Sequence, residues 1–280
     1  MLEKHRGVKA KTCRLAFSLG RVMIRWLLFD IGDVLLIEEP MSTMRWEVLY
    51  RAVKDAGYNM TFTDLMARRE KLVHENQNNI PQDTIALELL GESGRADIKR
   101  QIQAKLREDF MGYQFLLKGT KEILRELSSR YKLAMAANQP KQVFRQAMED
   151  AGILGFFDVA GISDEIGFSK PDLRFFEAVL AEAGCLASEA IMIGDRIDND
   201  IAPAQKLGMQ TIWFNLSPEA RGYIPKSDFE RVYFDSLRRA PSRGTGHPNE
   251  QIEPSVTVTS LDQLVEAIEV ISEKVRKESR

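Results

Sequence analysis

Acidic side chains follow short apolar segments at two distant points of this chain. Asp30 comes directly after the apolar run 26–29, and Asp195 follows the apolar run 191–193 and a glycine. Asp198, Asn199 and Asp200 extend the second group. Carboxylate and amide oxygens are the hard ligands that Mg²⁺ prefers. Because ligands of open parallel sheets bind at the carboxyl ends of the strands, the pattern predicts one Mg²⁺ ion shared by Asp30 and Asp195.

The same positions contain groups suited to phosphoryl transfer. Asp30 is a candidate nucleophile, because a carboxylate can form an aspartyl-phosphate intermediate. Lys170 follows a third apolar run, and its ammonium group would neutralise a phosphoryl group together with the ion. Each residue also has a simpler explanation, since an acid after a strand often forms a turn and Lys170-Pro171 is a common helix start.

Apolar runs and helical patterns alternate along most of the chain. Short runs typical of strands buried on both faces occur at 26–29, 133–137, 156–162, 191–193, 211–214 and 256–258. Helical spacing lies between them at 120–127, 142–151, 172–183 and 201–207, and a final helix is predicted at 261–270. This order predicts an α/β fold, a Rossmann-like doubly wound parallel sheet with right-handed crossovers.

Residues 41–110 show amphipathic helical periodicity with little strand signal. Ordinary sheet-covering helices would explain the pattern, but the segment is longer than one crossover. We therefore predict an inserted α-helical cap domain, and assign residues 23–40 and 111–280 to the α/β core. The cap offers several polar or aromatic side chains as candidate substrate contacts, namely Arg45, Trp46, Tyr50, Arg68, Arg69 and His74.

Two segments lack a regular pattern. Residues 1–22 are basic and without clear amphipathicity, which favours a disordered or misassigned extension over a targeting signal. Prolines punctuate residues 217–254, which we interpret as an irregular insertion in the core with a flexible loop at 242–248.

Composition excludes several classes of partner. A chain of 280 residues with a formal net charge of −2 gives no electrostatic basis for binding nucleic acid or an anionic membrane surface. No apolar run approaches the ~20 residues that a membrane span needs. The two cysteines, Cys13 and Cys185, have no metal-ligand spacing, which predicts a reducing, cytoplasmic setting. Whether the chain is a monomer or a homodimer stays open.

Three segments resemble, in order and rough spacing, signature motifs of the haloacid dehalogenase superfamily. They are Phe-Asp-Ile-Gly-Asp-Val-Leu at 29–35, Ser-Lys-Pro-Asp at 169–172 and Gly-Asp-Arg-Ile-Asp-Asn-Asp at 194–200. The helical segment after the first motif is similar to the cap of one branch of that superfamily. The resemblance implies a Mg²⁺-dependent phosphatase that acts on a small phosphorylated metabolite.

The resemblance also implies roles for individual residues. Asp30 would be the nucleophile that accepts the phosphoryl group. Asp30, the backbone carbonyl of Gly32 and Asp195 would hold Mg²⁺. Lys170 would bind phosphate and stabilise the nucleophile, while Asp200 would orient Lys170 or a metal-bound water from the second shell.

Two positions depart from the superfamily pattern. Gly32 stands where most members have an acid that protonates the leaving group, and Asp33, one residue later, should point differently. Ala137 stands where a Ser or Thr usually contacts the phosphate. Backbone N–H groups at Ala137 and the amide of Asn138 would then bind the phosphate instead.

These departures keep two alternatives open. A catalytically weak or silent protein that retains the fold and binds a phosphorylated ligand or partner is consistent with Gly32 and Ala137. A 2-haloacid dehalogenase would share the aspartate nucleophile without needing a metal, but Asp195 and Asp200 together favour an ion.

Overall fold

A six-stranded parallel sheet forms the centre of the protein. The computed structural model describes residues 22–75, 81–241 and 252–279. The strands in chain order are β1 (Trp26–Phe29), β2 (Leu36–Ile37), β3 (Phe115–Leu116), β4 (Lys132–Ala137), β5 (Val159–Ile162), β6 (Ala190–Gly194), β7 (Gln210–Phe214) and β8 (Val256–Val258). The main sheet has the order β5-β4-β1-β6-β7-β8, and every neighbouring pair is parallel. Each of the six predicted strands therefore exists, and the predicted α/β class is confirmed.

The central strand β1 shows why the sheet is wound on both faces. Its four side chains are buried. Leu27 and Phe29 belong to one apolar cluster, while Trp26 and Leu28 belong to a second cluster on the opposite face. Successive side chains of a strand point to opposite faces, so a continuously apolar strand needs helices on both sides.

Helices supply those two layers. Those of the core are α4 (Thr120–Ser128), α5 (Lys141–Asp150), α6 (Ser163–Ile166), α7 (Leu173–Ala183), α8 (Ala202–Lys206) and α10 (Leu264–Glu278). Apolar residues of α4, α5 and α10 join the first cluster, and those of α7 and α8 join the second. Buried residues recur at helical spacing along these helices, as Ile123, Leu124 and Leu127 do in α4.

The segment after β1 is helical, as the periodicity indicated. It comprises α1 (Glu39–Asp55), α2 (Phe62–His74) and α3 (Pro81–Glu108), and α3 is interrupted by Gly91 with a φ of 66°. The antiparallel pair β2–β3 joins the start of this segment to its end. Strands of two residues are too short to show a period, so the sequence did not indicate this pair.

One prediction for residues 217–254 is wrong. Within this supposedly irregular segment, Asp228–Arg239 forms a further helix, α9. Ser227 starts it with a capping box in which Ser227 Oγ accepts from Glu230 N and the Glu230 carboxylate accepts from Ser227 N. The prolines of the segment flank this helix rather than interrupt it, so they gave a misleading signal. Residues 1–21 and the predicted loop 242–248 lie outside the described residues.

Helix α9 packs on the helices α1 and α2. Its buried face consists of Tyr233, Phe234, Ser236 and Leu237. Among the described residues, no helix is both long and apolar enough to cross a membrane.

Candidate active site

Lys170 connects two acids that come from different strands. Its Nζ lies 3.0 Å from Oδ1 of Asp30 and 2.6 Å from Oδ1 of Asp200. Asp30 follows β1, Asp200 follows the adjacent β6, and Lys170 lies in the loop after α6, joined to Pro171 by a cis peptide bond. The register of the parallel sheet therefore brings together residues that are far apart in the sequence.

The carboxyl group of Asp195 completes an acidic cluster. One carboxylate oxygen each from Asp30, Asp195 and Asp200 lies within 4.8 Å of the others. Trp213 Nε1 donates to the backbone oxygen of Asp195 at 2.9 Å, which fixes the end of β6. Burial, together with the negative charge of Asp30, raises the pKa of Asp195 well above its usual range. The site therefore concentrates negative charge that Lys170 alone does not balance.

Both oxygens of Asp200 are engaged by the protein. Oδ1 accepts from Lys170, and Oδ2 accepts from the backbone N–H of Arg196 at 3.1 Å. A π-helical turn over Ile197–Ile201 brings Asp200 back beneath β6. A Cβ atom on Gly194 would lie 2.7 Å from Oδ2 of Asp200, so the glycine makes this close approach possible.

Burial and neighbouring charges together set the pKa values of Lys170 and Asp200. Burial disfavours the ammonium form of Lys170, but Asp200 and Asp30 outweigh it and raise the pKa of Lys170. Burial raises the pKa of Asp200 to about 6 against the opposing charge of Lys170. Lys170 therefore stays cationic, which is the state that binds an anion.

Asn138 holds the loop that contains Lys170. Its Nδ2 donates to the Lys170 carbonyl at 2.9 Å, and its Oδ1 accepts from the Lys170 backbone N–H at 2.8 Å. One of the two amide hydrogens that we expected to bind phosphate is thus used within the protein. Ala137, the last residue of β4, is buried and adds no side-chain donor. Phosphate binding by these two residues stays a prediction.

Asp33 is tied into a buried ion cluster. Its Oδ1 accepts from Arg221 Nη1 at 2.9 Å and from the backbone N–H of Glu38 at 3.1 Å. Arg221 also pairs with Glu39, and all three charged side chains are buried. The φ of Asp33 is 52°, a left-handed conformation that Asp tolerates better than most residues. Sequence reasoning missed the bond between Asp33 and Arg221.

Glu38 is a second residue that sequence reasoning missed. A Cβ atom placed on Gly32 would lie 2.5 Å from Oε1 of Glu38, so the Glu38 carboxyl group stands beside the first motif. Burial raises the pKa of Glu38 to about 7, with Arg45 opposing the shift and Asp30 adding to it. The only sequence signal was indirect, an acid six residues after an unexpected glycine.

Several of the candidate contacts in the predicted cap interact with other residues of the protein, and their role in substrate binding stays a prediction. Tyr50 packs against Phe62 and Phe229, Arg68 forms an exposed pair with Glu88, Trp46 is buried, and His74 is exposed. Arg69 is buried and donates to α9. Arg45 differs from these, because its charge acts on Glu38 next to the site.

Comparisons with known proteins assign the chain to a family. The model of the haloacid dehalogenase-like hydrolases matches residues 62–214, which is more than half of the sequence. The chain belongs to this family, as the three motifs indicated.

Curated relatives and solved structures agree with this assignment. A glyceraldehyde 3-phosphate phosphatase of Methanothermobacter thermautotrophicus is 25% identical over 77% of this chain and 97% of the relative. One from Methanocaldococcus jannaschii is 29% identical over 68% and 84%. The magnesium-bound structure of YfnB from Bacillus subtilis has a TM-score of 0.57 at 19% identity, covering 88% of this chain and 99% of that one. A HAD phosphatase from Thermococcus onnurineus gives 0.56 at 17% identity, covering 87% and 97%. The structural matches support the fold.

Proposed function

We propose that this protein is a Mg²⁺-dependent phosphatase that hydrolyses a small phosphorylated metabolite through Asp30. The observation that carries the proposal is the contact of Lys170 Nζ with both Asp30 and Asp200 beside the acidic cluster. A carboxylate, a fixed cation and further hard oxygens are what phosphoryl transfer to an aspartate requires.

The donor set fits Mg²⁺. Three carboxylate oxygens within 4.8 Å of one another offer hard oxygen ligands and an excess of negative charge. Asp30, Asp195 and the carbonyl of Gly32 would hold the ion, since both oxygens of Asp200 already accept hydrogen bonds from the protein. When bound, the ion would neutralise charge on the phosphoryl group.

The side chains of the protein would then perform the transfer. A carboxylate oxygen of Asp30 attacks phosphorus and forms an aspartyl phosphate while the ester oxygen leaves. Lys170 stabilises the negative charge of the phosphoryl oxygens, and Asp200 and Asn138 keep the lysine in place. Water then cleaves the aspartyl phosphate and regenerates Asp30.

The curated relatives support this class of substrate. The two archaeal relatives described above are named for a three-carbon phosphorylated metabolite, and another relative is a phosphoserine phosphatase of Thermus thermophilus. All three names describe a phosphate ester on a small molecule, which is the substrate class that we infer for this chain.

Phosphate release from 4-nitrophenyl phosphate, measured with Mg²⁺ and with a chelator, tests the proposal. We expect turnover that requires the metal, and loss of turnover in Asp30→Asn, which keeps the shape of the side chain but removes the nucleophile. Asp235→Asn on the exposed face of α9 is the control and should retain wild-type turnover. Full activity of Asp30→Asn would exclude the mechanism, and binding of inorganic phosphate without any turnover would favour the silent alternative.

A further inference from the structure

The carboxyl group of Glu38 occupies the space that a side chain at position 32 would need. A Cβ atom on Gly32 would lie 2.5 Å from Oε1, 2.6 Å from Cδ and 3.0 Å from Oε2 of Glu38. A Cβ atom does not tolerate contacts this short, so a side chain at position 32 would require the Glu38 carboxyl group to move. The φ of Gly32 lies outside the left-handed region, so the position requires the absence of a side chain rather than a special backbone conformation.

The backbone of Glu38 is held firmly while its side chain is left available. Its N–H donates to Asp33, which Arg221 fixes in the buried ion cluster. Glu38 stands at the N-cap position of α1, yet its side chain makes no capping hydrogen bond. The ion cluster therefore positions this residue without using its carboxyl group.

Three acids at or near the nucleophile form salt bridges. Asp30 and Asp200 contact Lys170, and Asp33 contacts Arg221. For Glu38, the described part of the chain provides neither a salt bridge nor a side-chain hydrogen bond. The Glu38 side chain is also partly exposed. Its carboxyl group thus lies beside Gly32, two residues after the nucleophile, and has no protein partner among the described residues.

We propose that Glu38 is the general acid and base of this active site and replaces the acid that position 32 lacks. This inference rests on the phosphatase function proposed above. In the first step Asp30 forms a bond to phosphorus, the bond from phosphorus to the ester oxygen breaks, and that oxygen takes the proton of the Glu38 carboxyl group. The products are the free alcohol, the aspartyl phosphate and the Glu38 carboxylate.

The second step returns the proton. Water forms a bond to phosphorus, the bond from phosphorus to Asp30 breaks, and Glu38 takes one proton from the water. Inorganic phosphate leaves, and both carboxyl groups are restored to their starting states. The sum is hydrolysis of one ester by one water molecule.

Two phosphate esters of similar shape but different leaving groups distinguish the acid role of Glu38 in the first step from its base role in the second. The nitrophenol of 4-nitrophenyl phosphate leaves without protonation, whereas the phenol of phenyl phosphate is a much poorer leaving group. For Glu38→Gln we expect kcat on phenyl phosphate to fall by about 10²–10⁴-fold. With 4-nitrophenyl phosphate we expect a rapid burst of about one nitrophenol per site and then slow turnover, because the second step still needs the base. Glu47→Gln, an acid on α1 that pairs with Arg51, is the control and should match the wild type on both esters.

Moving the carboxyl group provides a test that a merely structural role would not pass. Glu38→Ala empties the space beside position 32, and Gly32→Asp added to it supplies a carboxyl group from the other side of the same space. We expect the double variant to recover at least tenfold of the phenyl phosphatase activity that Glu38→Ala loses. Gly32→Asp alone should be impaired, because two carboxyl groups then compete for one volume.

The results distinguish this inference from the proposed function. If Glu38→Gln hydrolyses both esters at the wild-type rate while Asp30→Asn is inactive, the role of Glu38 is wrong and the phosphatase stands. If the double variant keeps the thermal unfolding transition of the wild type but is no more active than Glu38→Ala, the role of Glu38 is also wrong. A wild type that turns over neither ester overturns both proposals.

Discussion

Arg221 links the first motif to the start of α1 through a buried ion cluster. It pairs with Asp33 and Glu39, and the exposed fractions of the three side chains are 7%, 0% and 2%. Removing one partner of a buried ion pair leaves uncompensated charge in a medium that solvates it poorly. Because Asp33 in turn holds the backbone of Glu38, stability and the position of Glu38 are linked through this arginine.

We therefore expect Arg221→Met to lower the free energy of unfolding by about 3–5 kcal/mol, since two acids lose their cation. Urea unfolding followed by circular dichroism measures the change. Arg238→Met is the matched control, because Arg238 also pairs with two acids, Glu219 and Asp235, but on the exposed surface. It should lower the free energy of unfolding far less, because water solvates and screens an exposed ion pair. If both variants lose the same free energy of unfolding, the buried ion cluster contributes no more to stability than the exposed one.

Individual site residues were predictable from the sequence only where a polar or charged residue directly follows a predicted strand or a short loop. Asp30, Lys170, Asp195 and Asp200 were selected because each follows an apolar run or a short loop, and they lie together. Asp33 and Arg221 are 188 positions apart, and no periodicity connects them. Glu38 was missed because its link to the first motif is spatial. Its carboxyl group fills the volume left free by the missing side chain of Gly32, which the sequence alone does not show.

The elements of the core are joined by side chains at their ends as well as by their apolar faces. Asp158 stands before β5, and its Oδ2 accepts from the backbone N–H of Leu133 in β4 at 3.1 Å. Its Oδ1 accepts from Lys132 at 2.6 Å. The two strands are thereby fixed in register at the edge opposite to the active site.

The lowered pKa of Asp158 means that its contribution to the free energy of unfolding depends on pH. Partial burial opposes ionisation of Asp158, but the bonds from Lys132 and Leu133 outweigh it and hold the pKa below the unfolded value of 3.8. The stabilisation is therefore present above pH 3.8 and is lost as the pH falls through the lower pKa of the folded state. We expect the free energy of unfolding lost in Asp158→Asn to be larger at pH 7 than at pH 3, measured by urea unfolding. In a Lys132→Met background the pH dependence of this loss should shrink, and an unchanged dependence would contradict the explanation.

The contact between α2 and α9 joins the helical segment 41–110 to the segment that we predicted to be irregular. Arg69 on α2 donates to the carbonyl and hydroxyl of Ser236 and to the carbonyl of Ala240. Its guanidinium group also lies over the ring of Tyr233, 5.6 Å from the centroid. The Ser236 carbonyl also accepts from the backbone N–H of Ala240, whereas Arg69 supplies a donor to the Ala240 carbonyl at the end of α9.

We expect Arg69→Met to lower the free energy of unfolding by about 1–3 kcal/mol, because the buried carbonyl of Ala240 and the hydroxyl of Ser236 lose their arginine donor. Arg68→Met removes the neighbouring arginine, which makes an exposed pair with Glu88, and should change it by less than about 1 kcal/mol. Chemical denaturation of both variants makes the comparison. A loss in Arg69→Met no greater than in Arg68→Met would mean that α9 is held by its apolar face alone.

Strands were predictable where the chain has a continuous apolar run, and helices where apolar residues repeat at helical spacing. The six core strands show such runs, and the helices between them and those of residues 41–110 show the spacing. The pair β2–β3 has two residues per strand, which no period can reveal. Helix α9 has a capping box and an apolar face in its sequence, but the prolines on either side drew the interpretation toward irregular chain.

For the whole molecule, the folded state concentrates acids that the unfolded chain keeps apart. Asp195 is buried beside Asp30, with Asp200 as the third member of the cluster. Bringing these charges together opposes folding, and a divalent cation bound only by the folded state would reverse that cost. The stability of the protein should therefore depend on the metal even when no substrate is present.

We expect Mg²⁺ at about a hundred times its dissociation constant to stabilise the fold by about 2.7 kcal/mol. For a chain of this size that corresponds to a rise in Tm of roughly 5–10 °C, measured by calorimetry against a chelator. In Asp195→Asn the rise should disappear, because a ligand and one negative charge are lost. The same variant should be at least as stable as the wild type in chelator, since it removes repulsion with Asp30 and Asp200. Asp235→Asn should keep the full response to the metal. If Mg²⁺ stabilises Asp195→Asn as much as the wild type, the ion binds elsewhere, and the acidic cluster must be explained without it.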